Sequence, residues 1–249
     1  TDQGDIKADA VILCAGAWVP THWDWLGINQ KIDMKYSDGH VEKDVDMFTY
    51  WRLLEGEIAL NGIDYRTPDK KDPPVLHVEL MNTQVKDEAG NPFPRSEFYT
   101  YLRYAAERIG EPGIQGGSIP IKIGPHAEVE PYGHLNDAYQ ADDWFAGYFS
   151  STLSMIMERF EGIDKNYIHR RNGGIGAFTA DNVPVFDWVN KNTYMIADSN
   201  HGFKMLGVGK LVADRLEGDD IYTALDPFSM SRFQTGGTFG DRNSNCPWV

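Results

Sequence analysis

Two stretches of this chain gather residue types that could do chemistry. The first is Ser199-Asn200-His201-Gly202-Phe203-Lys204-Met205, set between an apolar run, Thr193 to Ala197, and an amphipathic segment from roughly Phe203 to Leu216. That order reads as strand, glycine loop, helix. The first turn of a helix presents unpaired backbone N–H groups and about half a positive charge, so it stabilises negative charge on a bound group. Gly202 would permit close backbone approach, and Lys204 adds a full cation. On spacing alone the same residues make a capped helix with a solvated lysine. The second stretch is Ser118 to His126, SIPIKIGPH, followed by Glu128 and Glu130. Lys122 stands four residues before His126 on an expected strand. Without context these are a solvated lysine and a structural histidine.

The elements that would position these residues follow from hydropathy patterning. Ala8 to Ala17, ADAVILCAGA, is a short apolar run ending in a glycine turn, which suits a buried parallel strand. From about Lys35 to Val78 the pattern alternates around Val45, Met47, Tyr50, Leu76 and Val78, with turn signals at Ser37-Asp38-Gly39 and Asp72-Pro73-Pro74. Antiparallel strands produce that pattern. Asp87 to Pro94 reads as a polar loop, and Arg95 to Ile109 has a pattern compatible with helix but is too aromatic to assign. A helix is expected over Asn136 to Glu161, where Phe145, Phe149, Leu153, Ile156 and Phe160 recur at spacings of three and four. That stripe reads as core. The residues after Asp226 are rich in Gly, Ser, Asn and Thr, without periodicity, and read as a tail wrapping over the surface or a partner.

Three segments, in order, resemble the FAD-dependent family that includes D-amino acid oxidase, glycine oxidase and sarcosine oxidase. They are AVILCAGAW from Ala10 to Trp18, TADNVPV from Thr179 to Val185, and NHGFK from Asn200 to Lys204 followed by Gly207 and Gly209. The resemblance implies α/β plus α+β architecture. In it, the C-terminal part of an FAD-binding, Rossmann-like domain of the glutathione reductase type is joined to an antiparallel-sheet substrate domain. The implied layout is an FAD-domain segment over 1–34, the substrate domain over 35–165, a second FAD-domain segment over 166–225 and an irregular tail over 226–249. Cofactor contacts are implied at Ala15, Gly16, Trp18, Asn200, His201, Gly202, Phe203, Lys204 and Met205. The TADNVPV run is implied to pass near the flavin ring.

The Ser118 to His126 stretch is similar to the Lys-x-Gly-x-His run of monomeric sarcosine oxidase and other N-methyl amino acid oxidases. It implies Lys122 beside the flavin face in oxygen activation, His126 in the substrate pocket, and Lys204 on the substrate carboxylate. A preorganised ammonium stabilises the charge that appears when the first electron reaches dioxygen. The implied reaction is hydride transfer from the carbon beside an amine nitrogen to the flavin. The resulting imine is then hydrolysed, and the electrons pass to oxygen to give hydrogen peroxide. The substrate class is a secondary or tertiary amine bearing a carboxylate. An amine dehydrogenase using another acceptor and a non-catalytic subunit of a flavoprotein complex are the alternatives. Tyr50, Trp51, Tyr99 and Tyr101 are available to cage an alkylated nitrogen, and each singly reads as packing.

Two departures from the family pattern carry information. The Gly-x-Gly-x-x-Gly loop and its acidic follower are not in these 249 residues, so either a second polypeptide, which is the favoured reading, or a cleaved N-terminal half supplies them, or the sequence is a fragment. The family's covalent cysteine would fall seven residues before Asp181, where Gly174 stands, so FAD held by this chain is expected to be non-covalent. Composition bounds the rest. A formal charge of −14 with scattered acidic groups and no basic run argues against nucleic acid. No run approaches the roughly 20 apolar residues of a membrane span, and the expectation is no membrane anchor and a cytoplasmic location. Cys14 and Cys246 suggest neither a disulfide framework nor a metal site.

Overall fold

The structure, a computed structural model, describes residues 2–94, 98–104, 112–118, 120–128, 139–169, 173–197, 205–218 and 223–239. The chain divides into two compact units, one of Thr1–Trp51, Lys122–Val129 and Ile175–Val249, the other of Arg52–Ile121 and Glu130–Gly174.

In the first unit, strands β1 (Val11–Leu13), β11 (Thr193–Ala197) and β10 (Val185–Asn190) form a three-stranded sheet in the order β1-β11-β10. β1 runs parallel to β11, with Val11 opposite Thr193 and Leu13 opposite Met195, and β10 is antiparallel to β11. The parallel pairing agrees with the apolar run read from the sequence, but its burial does not. Val11 and Ile12 are 47% and 46% exposed, because β1 has a neighbour on one side only among the described residues.

After β1 comes a 3-10 turn, Gly16–Trp18, which leads into helix α1 (Val19–Trp25). Pro20 sits in the first turn of α1, where its missing N–H costs nothing. Hairpin strands β2 (Lys31–Lys35) and β3 (Val41–Asp46) follow. Their inward residues Met34 and Val45 join Val19, Trp23, Met47, Phe48, Val185, Met195 and Ala197 in one apolar core. Packing places β3 and Phe48 to Trp51 in this unit with β2, whereas the alternation from about Lys35 onward reads as a separate antiparallel unit.

That core also takes Phe233, with Met230 packed against it. The segment read as an irregular tail in fact begins inside a 3-10 helix, Thr223–Phe228, and carries a short helix, Arg232–Thr235. A helix of one turn leaves no periodicity to read, so only its docking reveals it.

The second unit is built on β4 (Phe48–Ala59), β5 (Leu76–Leu80), β6 (Phe98–Tyr104) and β7 (Gly113–Ser118). The strand order is β5-β6-β7-β4, extended by β8 (Ile121–Gly124), with β9 (Gly173–Thr179) also paired to β4. Within the unassigned aromatic stretch, Phe98–Tyr104 is strand β6. Helix α2 (Asp143–Ile156) covers one face. Asp142 caps it, its carboxylate accepting from the Phe145 amide at 2.8 Å, which places the start seven residues later than the periodicity suggested. Met157 is extended and ends the helix, so Phe160 reaches the core from a separate 3-10 turn. Phe145, Phe149 and Leu153 pack against Leu54, Ile58, Leu102 and Ile114. Gly56 makes this contact possible, since a Cβ there would land on the Phe149 ring.

Candidate functional site

Because β1 and β11 are parallel neighbours in register, the chain leaves both strands at the same end of the sheet. In α/β sheets that carboxyl end is where ligands bind. From β1 the chain passes through Cys14 and Ala15 to Gly16, which adopts φ +53°, with open space where a Cβ would stand. The turn is closed by the Trp18 amide donating to the Ala15 carbonyl at 3.0 Å, and His22 Nδ1 lies 2.9 Å from the Trp18 carbonyl. Ala15, Gly16 and Trp18 therefore stand together on one compact turn at this end. From β11 the chain continues beyond Ala197 and re-enters the description as helix α3 (Met205–Leu216). Asn200, His201, Gly202, Phe203 and Lys204, together with the side chain of Met205, lie outside the described residues.

Lys122 is on β8 and His126 lies just beyond it, past Gly124 at φ +127°. Both are exposed, and both belong to the first unit rather than the antiparallel one. The Lys122 ammonium stands 5.6 Å from the centroid of the Trp51 indole. Partial burial raises the Cys14 thiol above its ordinary pKa, although its surface is exposed.

The Thr179–Val185 run forms the turn between β9 and β10. Asn182 is left-handed at φ +61°, and its amide donates to the Thr179 carbonyl at 3.0 Å. The turn is held by a residue that the sequence did not single out. Arg232 donates from Nε and Nη2 to the two oxygens of Asp181 at 2.8 Å each, from Nη2 to the Val183 carbonyl at 2.7 Å, and from Nη1 to the carbonyls of Phe228 and Ser229. The Asp181 and Arg232 side chains are 0% and 3% exposed. Such planar, bidentate pairing fixes orientation as well as charge. No local signal could have found it, since the partners are 51 positions apart.

The second unit carries a polar sheet face, also missed by sequence reasoning. Tyr101 donates to Glu55 Oε1 at 2.6 Å and Gln115 Nε2 donates to Glu55 Oε2 at 2.8 Å. Arg103 donates from Nε and Nη2 to Gln115 Oε1. These contacts fix which way the Gln115 amide points. Burial, reinforced by the bond to Glu55, raises the Tyr101 phenol above its ordinary value. Of the four aromatic residues considered as a cage, Tyr101 is thus engaged with Glu55, and Tyr99 lies 3.0 Å from His77 Nδ1 through its hydroxyl. Tyr50 and Trp51 are buried.

Among the described residues no cluster of side chains could hold a metal ion, and no helix is long and apolar enough to cross a membrane.

This is a mixed α/β chain with antiparallel sheets, and its fold recurs in solved oxidoreductases. It is similar to L-proline dehydrogenase from P. horikoshii, with a TM-score of 0.55 and 18% identity over 94% of this chain and 50% of that one. A modified fructosyl peptide oxidase from Aspergillus nidulans gives a TM-score of 0.54 and 17% identity, covering 99% of this chain and 51% of that one. Fructosamine oxidase from Aspergillus fumigatus, a deglycating enzyme, gives 0.50 and 16%, covering 97% and 51%. The chain spans about half the length of these structures. No family model matches it, and no curated protein does.

Proposed function

We propose that this chain forms one half of an FAD-dependent enzyme that oxidises a secondary or tertiary amine bearing a carboxylate, of the N-methyl amino acid kind. The phosphate-binding loop, which is not in these 249 residues, would be supplied from outside them, by the same polypeptide, a second one or a cleaved piece. The observation that carries this reading is the shared carboxyl end of β1 and β11, with the Gly16 turn at one exit and the NHGFK run leading into α3 at the other. Neighbours that are an amino acid dehydrogenase and fructosyl amine oxidases support the same reaction class.

The residues at that end suit a flavin. The open, left-handed Gly16 lets backbone approach an aromatic ring system closely, and the start of α3 offers N–H groups to an anionic edge. FAD when bound supplies acceptance of a hydride from the carbon beside the amine nitrogen. Ala15, Gly16 and Trp18 hold the cofactor from β1, and Asn200 to Met205 hold it from the α3 side. Lys204 fixes the substrate carboxylate and His126 lines the substrate pocket, so that the reacting carbon is held in place. Lys122 offers a fixed cation to the negative charge that develops on dioxygen as it is reduced to hydrogen peroxide.

A dehydrogenase that passes its electrons to another acceptor is the second reading, and the proline dehydrogenase neighbour favours it. The test uses the complete protein with its cofactor and compares peroxide formation with dye reduction on N-methyl amino acids. Lys122→Met is expected to leave anaerobic flavin reduction intact and to slow reoxidation by oxygen at least tenfold. Equal reoxidation rates with and without Lys122 would overturn the oxidase reading.

A further inference from the structure

We infer that Trp51 is a positioning residue for Lys122, an inference that rests on the oxygen-reducing role proposed for that lysine. Trp51 ends the part of β4 that belongs to the first unit, and β8, which carries Lys122, is the strand hydrogen-bonded beside it. The Trp51 residue is 2% exposed, while Lys122 is exposed. With the ammonium 5.6 Å from the ring centroid, the buried ring offers its negative face to the charge. A buried ring beside the ammonium restricts where that charge stands when an electron reaches dioxygen.

The choice of tryptophan points the same way. Trp51 Nε1 is buried with no hydrogen-bond acceptor among the described residues. A buried N–H left unpaired is destabilising, and phenylalanine would fill most of the same space without it. What tryptophan adds is the strongest cation-binding face of the aromatic side chains. Holding an ammonium is a role that fits this choice of residue.

The reaction step concerned is reoxidation, in which two electrons from the reduced flavin, with two protons, convert dioxygen to hydrogen peroxide. The experiment takes the complete holoenzyme and measures its two half-reactions separately by stopped flow in the parent, Trp51→Phe, Trp51→Leu and Lys122→Met. Trp51→Leu is expected to slow reoxidation about two- to fivefold, the range a lost cation–π contact gives, with anaerobic reduction by substrate unchanged. Trp51→Phe, which keeps a ring, should fall between parent and leucine while unfolding no more readily than the parent. The Lys122 ε-methylene protons should be shifted upfield by the indole ring current in the parent and return towards random-coil values in Trp51→Leu. If Lys122→Met is slow in reoxidation and Trp51→Leu and Trp51→Phe both match the parent, the positioning role falls alone. If Lys122→Met itself reoxidises at the parent rate, the oxygen role falls and takes this inference with it.

Discussion

Replacing Arg232 by methionine would leave the Asp181 carboxylate in the core of the first unit without its counter-charge. Five hydrogen bonds disappear, two to the carboxylate and three to the carbonyls of Val183, Phe228 and Ser229. Asp181 retains two longer contacts, from the Val183 amide at 3.3 Å and the Phe239 amide at 3.2 Å, while the Thr179 hydroxyl, 3.2 Å away, gives its one proton to the Val183 carbonyl at 2.5 Å. Breaking one side of a buried pair costs about 3–5 kcal/mol, and these remaining donors place the expected loss near the lower end, about 3 kcal/mol. Urea unfolding of the full chain, followed by tryptophan fluorescence, measures it. The double variant Asp181→Asn, Arg232→Met removes the stranded charge and should recover about half of the loss, because the penalty lies in the unpaired ion rather than in the missing contacts. A single variant within about 0.5 kcal/mol of the parent would refute the reasoning, as would a double variant that costs the sum of the two singles.

Two further predictions concern the second unit. Asp142→Ala removes the cap of α2 and should destabilise by about 1 kcal/mol at neutral pH, read from denaturant unfolding. Burial opposes ionisation of Asp142, but the Phe145 amide and Arg52 outweigh it and hold the carboxyl below its ordinary value. A lowered folded-state pKa gives stability that is full above the unfolded value, about 3.9, and is lost as pH falls through the folded one. The difference between parent and Asp142→Ala should therefore persist from neutral pH down to about 4 and shrink below it. Gly56→Ala drives a methyl into the Phe149 ring and should cost about 1–3 kcal/mol, and adding Phe149→Leu should relieve part of that cost.

Some elements are legible from single residues and local spacing, because the forces that make them act within a few positions. β11 falls on Thr193–Ala197 as its apolar run requires, and α3 and α2 lie within the amphipathic segments that announce them. The limits of α2 were less legible, since a side-chain cap at Asp142 and an extended Met157 override a stripe that continues past both. Strand β6 was not legible at all. Tyr99, Tyr101 and Arg103 face one side and Thr100 and Leu102 the other, and that alternation has meaning only once β5 and β7 lie alongside.

By itself, the sequence determined the order of segments that carries the functional reading: the apolar strand with Gly16, Lys122 on its strand, and the lysine-bearing entry to α3. Chemistry demands those residue types, and their order survives in one dimension. Tertiary structure alone decided which of them share a unit. It put Lys122 and His126 with the β1–β11 sheet rather than with the antiparallel domain, set the lysine's charge over the Trp51 ring, and drew Arg232 out of an apparent tail onto Asp181. Each of these joins partners tens of positions apart. Contacts of that kind arise when apolar faces are buried and strands pair, and no local pattern encodes them.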